Sequence, residues 1–243
     1  MATREEKIYV LYGSQTGNSE QLARDLCSQV PAQLGPAQIQ QITGTSATIT
    51  VVPKCMQLDD FLEIDRAEWT RLVIIVTSSY GVGQAPLGCY RFRELCDAWT
   101  KEGDVHQGTL EGMTYALCGL GDSKYTTYFR NPTVIDEALQ FVGAKRVGPL
   151  GKADASGPED QTAVLEQWLH RIWPFLAKVV AEPPLDRVRL QQMQQRTIQV
   201  CRRINPDFEA KAPSPQPLAS NVTIVLLALL AIILGYYFTS TTK

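Results

Sequence analysis

At 243 residues, 44% of them hydrophobic and 20% charged, the chain has room for one α/β domain of ordinary size plus appendages, which excludes a short disulfide scaffold and a disordered tail. The formal charge of −2 conceals an acidic body, with 16 Lys+Arg against 22 Asp+Glu in residues 1–182, and a basic stretch, with 6 against 3 in residues 183–211. The body has no Lys/Arg cluster with interleaved aromatics, so no nucleic-acid partner is expected, and six cysteines without C-x-x-C, zinc or iron–sulfur spacing read as free thiols in a reducing compartment.

Met1 to Lys7 carries Arg4-Glu5-Glu6 and no apolar core, so it does not read as a secretory signal, and synthesis is expected to finish in the cytosol. Ile8 to Tyr12 is a fully apolar run and predicts a buried strand; a helix follows from about Gly17 to Val30, with Leu22, Ala23 and Leu26 on one side. Ile49 to Val52 predicts a second strand, Leu72 to Val76 a third, Tyr90 to Thr100 a helix, and Thr114 to Cys118 a fourth strand. A helix from about Pro132 to Val142, a weak fifth strand beginning at Arg146-Val147, and a helix over Pro158 to Val180 with Leu165, Trp168, Leu169 and Ile172 at 3–4 spacing complete the pattern. Alternating strands and helices predict an α/β, doubly wound, five-stranded parallel sheet, whose ligand would lie beyond the C-terminal ends of the strands. No internal repeat is visible.

Beyond the body, residues 183–204 predict a basic neck helix with Arg187, Arg189, Arg196, Arg202 and Arg203, either touching anionic lipid or simply solvated. Residues 205–220, with Pro206, Pro213, Pro215 and Pro217, predict an extended spacer. Val222 to Phe238 holds 17 uncharged residues, about 26 Å of apolar helix at ~1.5 Å per residue. Residues 221–238 are therefore expected to be a single transmembrane helix in a lipid bilayer, with 239–243 a short tail on the far side. Arg202, Arg203 and Lys211 before the span outnumber Lys243 after it, which orients the body to the cytosol.

The loop after the first strand, Gly13-Ser14-Gln15-Thr16-Gly17-Asn18-Ser19, opens a helix. Hydroxyls, glycine-permitted backbone N–H groups and the helix's positive end suit a phosphate without a lysine; an N-capped helix with a tight turn is the plainer alternative. It is neither a Walker loop nor a G-x-G-x-x-G fingerprint, which argues against ATP and NAD. The loop after the third strand, Thr77-Ser78-Ser79-Tyr80-Gly81-Val82-Gly83-Gln84, puts an aromatic ring beside backbone that a planar ligand can approach. The loop after the fourth, Gly119-Leu120-Gly121-Asp122-Ser123-Lys124-Tyr125 with Tyr128-Phe129 behind it, offers a second ring.

These three segments, YGSQTGNSE, TSSYGVGQAP and GLGDSKYTTYF, resemble the three FMN loops of the flavodoxin superfamily, and most of all the FMN domain of diflavin reductases of the microsomal NADPH-haemoprotein reductase type. The resemblance covers about residues 6–180, including the acidic stretch from Asp154 to Asp160. It implies FMN as cofactor, residues 14–19 on its phosphate, Tyr80 and Tyr125 on the two faces of the isoalloxazine, the Gly81 peptide near flavin N5 and Asp154 near the flavin rim. A carbonyl accepting from N5–H in electron-rich surroundings favours one-electron transfer. Val82 and Gln84 depart from the family pattern, which has an acidic or amide residue and an aspartate there.

The function expected is a membrane-tethered electron carrier without an NADPH-binding domain of its own. It would shuttle single electrons from an NAD(P)H-dependent FAD reductase in trans to a haem or iron–sulfur acceptor. The expected location is the cytosolic face of the endoplasmic reticulum or mitochondrial outer membrane. Two alternatives stay open: a flavodoxin-like quinone reductase taking NAD(P)H directly, and a non-redox membrane adaptor on the same fold. His106 and His170 have no partner at metal-ligand spacing, and Cys89 reads as packing.

Overall fold

A computed structural model describes residues 3–210 of the chain. The expected anchor, the far-side tail and most of the spacer lie outside the described residues. No helix among those described is long and apolar enough to cross a membrane. Residues Met1–Ala210 make one compact unit.

The sheet is built from β1 (Thr3–Gly13), β2 (Thr48–Gln57), β3 (Leu72–Ser78), β4 (Thr114–Gly121), β5 (Lys145–Arg146) and β6 (Gly151–Asp154). All pairings are parallel, in the order β2-β1-β3-β4-β5. The fifth position, expected as one strand from Arg146-Val147, is two short pieces. β5 pairs with Thr114-Tyr115 and β6 with Cys118 to Gly121. Between them Gly148 turns with φ 68° and Pro149 has no N–H for a ladder, so pairing is interrupted after Tyr115 and resumes at Cys118.

Alternate residues of the three central strands face opposite layers, as the two-residue period requires. Tyr9, Leu11, Val73, Ile75, Tyr115 and Leu117 pack against α3 (Leu58–Phe61), α4 (Tyr90–Glu102) and α5 (Arg130–Phe141). Ile8, Val10, Ile74, Val76, Ala116 and Cys118 pack against α1 (Asn18–Gln33), α2 (Pro36–Thr43) and α6 (Gln161–Ala181). With helices on both faces the sheet is doubly wound, as expected.

The basic neck differs from expectation. α7 (Arg187–Ile204) is the expected helix and keeps its five arginines exposed, but its other face lies on the first layer, burying Leu190, Met193, Ile198, Val200 and Cys201. Gln194 Nε2 donates to the Ile64 carbonyl at 2.8 Å, Arg187 donates to the Ala67 carbonyl at 2.6 Å, and Arg203 pairs with Glu102 at 2.5 Å. Its apolar residues recur at 3–4 spacing, and the sheet layer left open beside α4 gives them somewhere to go. The domain boundary therefore moves from 182 to about 210.

Candidate functional site

Every loop singled out from sequence leaves the C-terminal edge of a central strand, β1, β3 or β4. Together they enclose a cleft of about 410 Å³, within the roughly 300–1,000 Å³ of small-ligand sites. Its lining brings together Gln15, Thr16, Asn18, Ser19, Ser79, Tyr80, Gly81, Leu120, Gly121, Asp122, Tyr125, Tyr128 and Phe129 from the expected set. Ser78, Thr127, Ala155 and Gln161 join them, unanticipated. Ser14, Gly17, Val82, Gly83, Gly119 and Asp154 do not line it.

The residues that stay out still shape it. Gly17 sits at the N-cap of α1 with φ 93°, a left-handed conformation that glycine takes without penalty. Ser14 Oγ accepts from the Gly17 N–H at 3.1 Å, closing the turn. No side chain caps α1, so the N–H groups of its first turn are left for an anion. Ser19, buried beneath them, and the Thr16 and Asn18 side chains complete a polar end with no cation. That end fits a phosphate held by backbone dipoles.

At the middle of the cleft Tyr80 and Gln84 exchange backbone hydrogen bonds of 3.0 and 2.8 Å, a tight turn in which Gly81 (φ 52°) and Gly83 (φ 87°) are both left-handed. Tyr80 is 48% exposed and Tyr125 64%, two rings standing at the mouth from different loops. Such apolar surface is left in water unless a flat ligand covers it. The Gly81 carbonyl, which the resemblance places near flavin N5, accepts from Thr127 Oγ1 at 3.3 Å. A second lone pair remains to it.

The far wall is made by packing. Phe129 is buried and is the one non-glycine described residue with positive φ, 62°. Tyr128 and Phe129 rings lie 5.6 Å apart, over Gly121 and Gly119 respectively. The glycines of GLGD thus make room for two rings of the same chain. Asp154 does not face the cleft: its Oδ1 accepts from the Ser123 and Ser156 N–H groups at 2.9 and 3.0 Å, tying the β4 and β6 loops together. The Ser123 N–H holds its carboxyl below the usual range, and a hydrogen bond from Ser156 does the same for Asp122.

Behind the Tyr80 loop is a residue the sequence reading passed over. Asn131, fully buried, donates through Nδ2 to the Ser78 carbonyl at 3.0 Å and Thr77 Oγ1 at 3.3 Å, while its N–H donates to Ser79 Oγ at 3.0 Å. Arg93 Nη1 donates to its Oδ1 at 3.1 Å. A polar residue at the start of a predicted helix reads as a cap, so only the fold reveals it as the anchor of the β3 loop. Asp59 plays a similar part for α4, accepting from the Tyr90 and Phe92 N–H groups at 3.0 and 2.9 Å.

A parallel sheet of this order with its ligand cleft at the strand ends defines an open α/β domain for a phosphorylated planar cofactor. The flavodoxin family model matches residues 10–168, and the chain belongs to the flavodoxin family. It is 32% identical over 180 residues to the mitochondrial NADP(+) pyruvate dehydrogenase of Euglena gracilis, covering 73% of this chain and 9% of that one. It is 34% identical over 167 residues to the bifunctional cytochrome P450/NADPH–P450 reductase of Bacillus cereus, covering 68% and 13%. Against methionine synthase reductase of Caenorhabditis elegans it is 30% identical over 171 residues, covering 69% and 21%. The chain thus spans between about a tenth and a fifth of the length of these relatives. Oxidised flavodoxin 1 of Bacillus cereus is similar at 21% identity and a TM-score of 0.43, over 72% of this chain and 97% of that one. The body is a flavodoxin-like FMN electron-transfer domain related to the diflavin reductases.

Proposed function

We propose that this chain is a membrane-tethered FMN electron carrier, loaded by an NAD(P)H-dependent FAD reductase in trans and discharged to a haem or iron–sulfur acceptor. One observation carries the reading: the cleft offers an uncapped helix end for one phosphate and two exposed tyrosines for one flat ring system, and no dinucleotide fingerprint stands beside it. FMN, when bound, supplies stepwise one-electron chemistry. The chain's residues do the rest. Ser14, Thr16 and the first turn of α1 hold the phosphate end, Tyr80 and Tyr125 cover the ring and limit water, and Asn131 and Thr127 fix the loop whose Gly81 carbonyl would face it.

Residues 221–238 would confine the body to the cytosolic face of the endoplasmic reticulum or mitochondrial outer membrane. That raises its effective concentration toward partners on the same surface. Deleting 221–243 should release the protein from membranes, and protease added to intact organelles should remove the body; protection of the body would reverse the orientation.

The decisive assay mixes the purified full chain with NADPH alone, then with an FAD-containing NADPH reductase and a haem protein. Flavin bleaching and haem reduction are expected only with the reductase. Brisk NADPH oxidation by the chain alone, quickened by a quinone, would establish the quinone reductase instead. A colourless protein that takes up no FMN would favour the adaptor.

A further inference from the structure

Gln161 lines the cleft, yet neither the loop motifs nor the stacking tyrosines give it a part to play. It is the first residue of α6, and the segment that leads into that helix is tied to the cleft wall. The Ala155 N–H donates to the Gly121 carbonyl at 2.8 Å, and Asp154 Oδ1 joins the Ser123 and Ser156 N–H groups across the same two loops. Asp160 Oδ2 accepts from the Ala163 N–H at 3.1 Å, so the capping carboxylate is turned back onto its own helix. Gln161 is the α6 side chain that remains to meet a ligand.

The orientation of its amide follows from its neighbour. One end lies 3.2 Å from the Ala153 carbonyl, which can only accept, so that end is Nε2 and the other is Oε1. Gln161 is half-buried, and its Oε1 accepts from no described residue. An acceptor held in place and left without a donor is completed by whatever fills the cleft.

The chemistry of FMN limits what can complete it. The phosphate dianion only accepts, and the oxidised ring system carries a single N–H, whereas each ribityl hydroxyl donates. α6 packs in the same layer as α1, whose first turn is the phosphate end, while the ring is covered by tyrosines from the β3 and β4 loops. Gln161 therefore stands on the wall that continues from the phosphate end. We infer that Gln161 binds the sugar-alcohol chain of FMN, its Oε1 accepting from a ribityl hydroxyl, and so makes the site select a hydroxylated link between phosphate and ring. The inference rests on the assignment of the cleft to FMN.

Two ligands isolate this contact: FMN, and its trideoxy analogue, a phosphopentyl flavin that keeps ring and phosphate but lacks the ribityl hydroxyls. Full-length apoprotein in detergent is titrated with each by flavin fluorescence, unsubstituted and as Gln161→Met, which nearly conserves volume and removes the acceptor. The substitution should weaken FMN by about 2- to 12-fold, the weight of one hydrogen bond, and leave the affinity of the analogue unchanged. Gln161→Glu keeps an oxygen at the site and should preserve the preference for FMN, since repulsion between carboxylate and phosphate falls equally on both ligands. If Gln161→Met does not fold, Gln161→Ala serves, because the ratio of two affinities on one folded sample does not depend on its stability. Equal losses for the two ligands, or no loss for either, would overturn the contact and leave the FMN site standing. An unsubstituted protein that binds neither flavin would overturn both.

Discussion

Gly119 in β4 lies so close beneath Phe129 that a methyl group on it would stand 2.4 Å from Cε2 of the ring. The ring lies at the lining of the flavin cleft, and its backbone is held at φ 62°. Gly119→Ala must therefore push the ring into the space the cofactor needs. Overpacking of this kind costs about 1–3 kcal/mol. Thermal unfolding should shift down, and FMN should be lost on gel filtration. An unchanged FMN content would show that the wall does not bear on the ligand.

The position of α7 predicts how the body tolerates truncation. A chain of residues 1–210 should fold cooperatively and take up FMN, because it keeps the whole apolar layer covered. Cutting at 182 uncovers the contacts of Leu190, Met193, Ile198 and Val200, each worth roughly 1.5–3 kcal/mol when fully buried. The shorter chain should aggregate or bind hydrophobic dyes. Equal solubility and equal urea midpoints for the two would mean that α7 adds nothing to the core.

That difference also marks what the sequence made legible. Leu72 to Val76 and Thr114 to Cys118 were plain as strands because parallel strands buried on both faces are apolar throughout. The three cleft loops were legible for the same reason, being the polar interruptions at the ends of those runs. β6 was not, since Gly151-Lys152-Ala153-Asp154 has no β-branched residue and owes its pairing to the neighbouring edge of β4. α7 read as a neck because its arginines dominate the composition, and Asn131 drew no notice because buried hydrogen bonds across 52–54 positions leave no local trace.

Acid should weaken the sheet edge at Glu68, which accepts from Lys54 at 2.5 Å, Lys7 at 2.8 Å and the Tyr9 hydroxyl at 3.3 Å. Lys54 first, then Lys7, hold its carboxyl down at about 2. A folded value below the unfolded one, about 4.3, means the stabilisation is present above that pH and lost as pH falls toward about 2. Solvent screening leaves about 1 kcal/mol or less. Glu68→Gln should flatten the fall in urea midpoint over this window and lower the midpoint at neutral pH. Parallel pH curves for the two proteins would refute the assignment.

Thr127 predicts an effect on redox potential. Its hydroxyl occupies one lone pair of the Gly81 carbonyl. Thr127→Val removes the competing donor and leaves the carbonyl's full acceptor strength to a donor on the reduced cofactor. One hydrogen bond of about 0.5–1.5 kcal/mol corresponds to roughly 20–65 mV for one electron. The midpoint of the first reduction should rise by that order in spectroelectrochemical titration. A fall, or no shift with FMN still bound, would place the Gly81 carbonyl away from the reducible part of the flavin.

The rim of the cleft sets the terms of docking. Asp122 lines the cleft and, like Asp154 in the neighbouring acidic stretch, holds a loop N–H group; Asp160 caps α6, accepting from the Ala163 N–H at 3.1 Å. Glu159, exposed and outside those bonds, is the clean probe of charge. Beside Tyr80 stands Val82, 72% exposed, uncharged and outside the cleft lining. Glu159→Gln should slow electron transfer to a basic haem partner by about twofold at low salt, and Val82→Glu should speed it by a similar factor. Both differences should fade above about 0.1 M salt, where the screening length drops to about 10 Å. FMN affinity should stay unchanged in both variants, which separates docking from cofactor binding. Stopped-flow rates at several ionic strengths give the answer. Transfer indifferent to salt and to both substitutions would leave the carrier but take away its acidic face, and the exposed Tyr80, Val82 and Tyr125 would then form the contact through apolar burial alone.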